Sequence, residues 1–215
     1  VHRFIPIDRP VQRIVRCVVG LAIFGVGIAM LIDARLGAAP WDVFHTGVAD
    51  LAGIPVGRVT IITGVFLLAL WIPLGEQMGL GTILNAIEIG IVVDLVLPLL
   101  PEPDLLVARV PMMFGGVVVI AIGSGLYIGA GLGPGPRDGL MTGMARRGVS
   151  IRFARTAIEL TVLAVGIALG GAIGIGTAVF ALGIGPLVQV FLPRLQIRAT
   201  NPDVRHDAGR SRPPG

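Results

Sequence analysis

The chain has 215 residues, of which 54% are hydrophobic and only 14% charged, with a mean hydropathy of +0.88; ordinary soluble domains carry about 25% charged residues, so a soluble globular enzyme is excluded. The net charge of +4 rests on seventeen basic residues, all arginine, clustered between long uncharged runs, which fits helix ends at a membrane rather than a nucleic-acid-binding face. One cysteine, Cys17, cannot form an intrachain disulfide, and His2, His45 and His206 are too scattered for a metal cluster or a Ser-His-Asp arrangement, so no cofactor, metal or catalytic residue is expected.

In chain order, residues 1–12 read as a short cytoplasmic lead-in. A first apolar run, 14–32, follows arginines in the manner of a signal peptide, but Asp33-Ala34-Arg35 is not a small-residue cleavage site, so the run is read as a retained span. Next comes a loop in which Pro40 suits the first helical position, Asp42 the first turn and Gly53 the stop, predicting a helix of about ten residues. Spans follow at 57–74 and 80–100, then an external linker at 101–108 and a span at 110–130. Pro136 and Asp138 repeat the short loop helix. From Leu160 to Pro193 there are 34 residues without a charge. A single helix of that length would measure about 50 Å against a hydrocarbon core of about 30 Å. The run must therefore fold back at its glycine-rich stretch 170–176, giving spans at 153–170 and 175–193. Residues 196–215, rich in Arg, Pro and Asp, are expected to be a disordered cytoplasmic tail.

Six spans put both termini on one side. With the N-terminus inside, Arg3, Arg9, Arg13, Arg16, Arg137, Arg146, Arg147, Arg152, Arg155, Arg194, Arg198, Arg205, Arg210 and Arg212 are cytoplasmic, against Arg35, Arg58 and Arg109 outside. Fourteen to three is a strong positive-inside bias, and the inner clusters suit anionic lipid headgroups.

The sequence also resembles itself. Shifted by 96 residues, Leu36, Gly37, Pro40, Asp42, Thr46 and Gly47 fall on Leu132, Gly133, Pro136, Asp138, Thr142 and Gly143, and Arg13, Gly20 and Gly27 fall on Arg109, Gly116 and Gly123. After one deletion the shift is 95, and Gly75, Gly79, Gly81, Thr82, Gly90 and Pro98 fall on Gly170, Gly174, Gly176, Thr177, Gly185 and Pro193. Three spans per half is an odd number, so the halves, 13–100 and 109–195, enter the membrane from opposite sides. The predicted fold is an all-α polytopic membrane protein with six transmembrane helices in two inverted three-helix repeats, each with a short loop half-helix after its first span.

Asp42 with Thr46, and Asp138 with Thr142, are four apart and share a helix face. Two readings stand: surface-lying amphipathic helices whose aspartates act as caps, or re-entrant half-helices whose Asp and Thr side chains line a midplane cavity. Acidic groups at both helix starts weigh against an anionic substrate and toward a cation, a proton or a polar neutral solute. Asn85, Glu88 and Asp94 fall in the third span; an acid facing lipid there would cost roughly 3 kcal/mol, so these groups face protein or water. Arg155 and Glu159 are spaced for an intrahelical ion pair.

The loops Gly37-Ala38-Ala39-Pro40-Trp41-Asp42 and Gly133-Pro134-Gly135-Pro136-Arg137-Asp138-Gly139-Leu140-Met141 have distinctive company downstream. With Arg155-x-x-x-Glu159, Leu169-Gly170-Gly171, Gly174-x-Gly176-Thr177 and Gly185-Pro186, the chain from 13 to 195 resembles the YczE/YyaS/YitT group of bacterial integral membrane proteins. The resemblance implies a multi-pass protein of the bacterial cytoplasmic membrane and carries over no catalytic residue. The leading expectation is a transporter or channel moving an unidentified small solute or ion between inverted halves. Asp42, Asp138 and Glu88 lead its site, with Thr46, Thr142, Asn85 and Asp94 next. The alternative is a non-transporting accessory or regulatory subunit whose arginine-rich inner loops bind a partner. Expected partners are the lipid bilayer, its anionic headgroups and a small solute or ion, with homo-oligomerisation open and no nucleic acid.

Overall fold

A computed structural model describes residues 8–197; the lead-in before Asp8 and the tail from residue 198 lie outside the described residues, and with them most of the expected disordered tail. The described chain is helical, without strands: α1 Pro10–Asp33, α2 Pro40–Ala52, α3 Val56–Leu74, α4 Leu80–Val96 continued by a 3-10 turn Leu97–Leu99, α5 Leu106–Gly129, α6 Pro136–Ala145, α7 Ile151–Ala168 and α8 Ile175–Leu195. The starts and stops have local causes. Prolines open α1, α2 and α6, and glycines with positive φ close α2 at Gly53 and α3 at Gly75. The glycine-rich stretch does turn the chain, between α7 and α8, with Gly170 at φ 83.

Five described helices are long and apolar enough to cross a membrane: Pro10–Asp33, Val56–Leu74, Leu80–Leu99, Leu106–Gly129 and Ile175–Leu195. The sequence reading counted six. The difference is α7, whose 18 residues include Arg152, Arg155 and Glu159, all within its first half.

α1 and α5 pack along each other at the centre, with α4 against α1 and α8 against α5. Glycine sets the spacing: a Cβ on Gly20 would meet the Tyr127 nitrogen at 2.6 Å, and one on Gly27 the Ile120 nitrogen at 2.8 Å, so the helices approach backbone to backbone. The short helices cross over, α2 packing against α7 and α6 against α3. Phe44 and Val43 of α2 sit against Gly166, whereas Trp71 of α3, fully buried, sits against Gly139 of α6 and donates its indole N–H to the Pro136 carbonyl at 2.9 Å.

Several hydrogen bonds recur at positions 96 or 95 residues apart. The Gly81 N–H donates to the Leu132 carbonyl at 2.8 Å and the Gly176 N–H to the Leu36 carbonyl at 2.7 Å. Thr82 accepts from the Gly79 N–H and Thr177 from the Gly174 N–H, opening α4 and α8 alike. Arg13 donates to the Ala130 carbonyl at the end of α5 at 2.8 Å, and Arg109 to the Ala34 carbonyl at the end of α1 at 2.7 Å. Arginines counted for topology thus also satisfy the last carbonyls of two central helices, where a cation is favoured. Arg13→Gln and Arg109→Gln are each expected to cost about 1.5–3 kcal/mol, the range for a charge-assisted bond, as a lowered thermal unfolding midpoint in detergent.

Candidate functional site

α2 is enclosed within the protein rather than laid on its surface: Asp42, Val43, His45, Thr46 and Ala49 are all buried. Pro40 starts the helix at its fixed φ and places Asp42 in the first turn, where the helix dipole favours a carboxylate. Asp42 is 2% exposed and lies 3.3 Å from His45 Nδ1, through its Oδ1. The same ring nitrogen lies 3.2 Å from the Thr60 hydroxyl of α3, and His45 Nε2 is buried without a partner.

α6 brings its own first turn toward the same carboxylate. Arg137 lies 4.0 Å from Asp42 Oδ1 and its guanidinium sits 4.8 Å from the centre of the Trp41 ring, a cation–π stack. The Arg137 side chain keeps 29% exposure and makes no hydrogen bond among the described residues, so its N–H donors are open. Next to it Asp138 is exposed, within electrostatic reach of Arg137, Arg155 and Glu159. Around Gly135, where a side chain would begin, the Asn85 amide nitrogen, the Asp138 Oδ2 and the Tyr127 hydroxyl each stand 3.4 Å away. The absence of a side chain at Gly135 lets these polar groups of α4, α5 and α6 pack close to the start of α6.

The structure therefore brings together Asp42, Asp138 and Asn85. Glu88, half-buried one turn along α4 from Asn85, makes no ion pair among the described residues and lies within electrostatic reach of Cys17. Asp94 stands apart: it accepts from the Gly57 N–H at 2.6 Å and so satisfies an otherwise orphaned donor in the first turn of α3. Thr46 donates to the Val43 carbonyl and accepts from the Ala172 N–H, pinning α2 to the turn before α8, while Thr142 bonds back to the Gly139 carbonyl of its own helix. Arg155 and Glu159 form the expected ion pair at 3.1 Å.

Sequence reasoning missed His45, Trp41, Arg137, Tyr127 and Thr60. For two of them the repeat carried a signal. Trp41 and Arg137 occupy the same position of the repeated loop, 96 residues apart, between the matched proline and aspartate, and they stack on one another. A residue that touches its own counterpart marks where two copies of a motif meet. Arg137 also alters the charge balance, since a cation now stands between the two aspartates that had weighed against an anion.

Among the described residues no group of three or more His, Cys, Asp or Glu could hold a metal ion. The polar groups instead form a mixed-charge cluster between two short helices, in a chain with several helices apolar enough to span a bilayer. That defines a helical membrane protein with a mixed-charge cluster where its two short helices meet. Residues 11–193 match the model described as "Family of unknown function (DUF6198)", and the chain belongs to that family. It is 36% identical over 173 residues to an uncharacterised protein of Haemophilus influenzae, covering 80% of this chain and 79% of that one. It is 33% identical over 178 residues to the uncharacterised membrane protein YczE of Bacillus subtilis, covering 81% and 83%. It is 29% identical over 182 residues to YyaS of the same organism, covering 81% and 90%. The resemblance read from the two loops is thus to the right relatives. No solved structure matches.

Proposed function

We propose that this protein is a small-solute or ion transporter of the bacterial cytoplasmic membrane, with its site at the cluster formed by Asp42, Arg137, Asp138, Asn85 and Tyr127. One observation carries the reading: the starts of two short helices from different halves of the chain meet through Asp42 and Arg137, beside the buried and unpartnered His45 Nε2. Buried polar atoms are normally satisfied by protein or water, so the unpartnered His45 Nε2 within a cluster of charged groups suits a polar occupant. Broken or short helices meeting at mid-depth are where carriers place such sites.

The same reading takes the fold as two inverted repeats with α7 as a sixth span. The paired bonds of Gly81 and Gly176, and of Arg13 and Arg109, support a pseudo-two-fold relation, as does the stack of Arg137 on Trp41, its counterpart in the other loop. In α7 residues 160–168 are uncharged, and Arg155 and Glu159 pair with each other within electrostatic reach of Asp138. The arginine distribution supports both termini in the cytoplasm. An accessory role through Arg146 and Arg147 gains less support, because Arg146 pairs with Glu76 at 3.3 Å and Arg147 bonds to the Pro73 carbonyl, so both are engaged with the turn after α3.

Cysteine accessibility tests the proposal. With Cys17 replaced by alanine, Asn85→Cys and Asp138→Cys are expected to react with a membrane-impermeant thiol reagent applied from either face, since a carrier exposes its site alternately. Labelling from one face alone, or none, overturns the transport reading.

A further inference from the structure

Asp42 presents one oxygen, Oδ1, to two groups: His45 Nδ1 at 3.3 Å and Arg137 at 4.0 Å. The hydrogen bonds determine where the imidazole proton sits. Thr60 donates its hydroxyl proton to the Val56 carbonyl at 3.0 Å, so toward His45 its oxygen accepts, and an ionised Asp42 also accepts. Nδ1 therefore carries the ring proton, and Nε2 keeps a lone pair that no protein donor meets although the residue is 1% exposed. A proton added at Nε2 makes an imidazolium beside the Asp42 carboxylate, the pairing by which a buried acid stabilises a charged histidine. The charged groups acting on the ring are Asp42 of its own helix and Arg137 of α6; α3 presents the neutral Thr60, and the charges of α7 bear on Asp138 and Arg137 instead.

Charge balance decides what the site takes. Asp42 and Asp138 are offset by Arg137 and by two helix starts worth roughly half a unit charge each, which leaves the site near neutral. A proton on His45 makes it positive and gives Asp42 a nearer cation than Arg137. The open guanidinium then has a planar pair of N–H donors, the geometry that matches a carboxylate or phosphate. Asp138 does not take over from Asp42, because it is exposed to water and shared with Arg155.

We propose that the site binds a small carboxylate or phosphate oxyanion at Arg137 together with a proton at His45 Nε2, the Asp42 charge, already bonded through Oδ1 to His45 Nδ1, being balanced by the imidazolium rather than by Arg137 once the proton arrives. This rests on the cluster being a solute site and names its cargo, but its test requires no flux.

Trp41, stacked on Arg137 and with its ring centre 6.4 Å from that of His45, is the reporter. In the purified full chain in detergent, the fluorescence lost in Trp41→Phe isolates its emission. That component is expected to be quenched by a single proton with a midpoint below that of a free imidazole, because burial favours the neutral ring. Acetate or inorganic phosphate, at constant ionic strength, raises the midpoint by up to about one pH unit per tenfold rise in free anion, because the anion binds the protonated form. His45→Gln flattens the titration with helix content retained, and His45→Asn serves if the glutamine variant does not fold. Arg137→Gln abolishes the anion-dependent shift, and Asp42→Asn binds the anions without pH dependence. A titration that survives replacement of His45, or a midpoint that neither anion moves, overturns the proposal. Midpoint shifts as expected alongside one-sided cysteine labelling would remove transport and leave the proton–anion site standing.

Discussion

Gly90→Ala is expected to destabilise the protein by about 1–3 kcal/mol or more, the cost of overpacking a close contact, whereas Gly185→Ala is expected to change its stability by no more than about 1 kcal/mol, because the gain from replacing a helical glycine is offset by the crowding of a new Cβ against the ring of Pro186 that follows it. The two glycines are counterparts in the repeat, 95 residues apart, each on the last helix of its half. Their surroundings differ. A Cβ on Gly90 would overlap the Gly57 carbonyl oxygen of α3, and backbone cannot move aside as a flexible side chain can. Around Gly185 nothing lies within 4 Å, because α7 does not pack along α8 as α3 packs along α4. Thermal unfolding of the two variants in one detergent checks the contrast; equal destabilisation would show that α8 is packed like α4.

The second large effect lies where α3 meets α6. Trp71→Ala is expected to cost about 3–5 kcal/mol, since it removes a fully buried indole and leaves a cavity. It also removes the N–H bond to the Pro136 carbonyl, which fixes the start of α6 one residue before Arg137. Gly139→Ala is expected to be damaging for the opposite reason, a methyl group driven into the indole ring. Combined, the changes relieve each other: the double variant should be more stable than the sum of the singles predicts by about 1 kcal/mol or more, as expected for residues in direct contact. Strict additivity in unfolding measurements would place Trp71 elsewhere.

Much of the fold was legible because membrane spans are written in composition and glycine and proline punctuate them. Every expected span coincides with a helix within a few residues, and Gly53, Pro40, Pro136 and the 170–176 turn act as read. The exception in kind is α7, whose charges Arg152, Arg155 and Glu159 set it apart from the five clearly apolar helices. The site was half legible. Asp42 and Asp138 stood out as scarce acids in a repeated loop, whereas Asp94, a second-rank candidate of the third span, bonds to the Gly57 N–H. His45 stands three residues from Asp42 on α2, a spacing that was legible, but its second partner Thr60 is supplied only once α2 folds against α3.

Composition and charge by themselves determined that this chain belongs in a membrane: 14% charged residues with 32 glycines and long uncharged runs cannot cover a soluble surface. The loop motifs pointed to its relatives, and the 96- and 95-residue shifts line up positions whose hydrogen bonds recur. Only the tertiary structure decided which polar groups meet. The crossing of α2 onto α7 and of α6 onto α3 brings Asp42 and Arg137, 95 residues apart in sequence, to 4.0 Å. Interactions between charges fall with distance and strengthen away from water, so their meaning depends on which neighbours burial supplies, and no linear spacing encodes that.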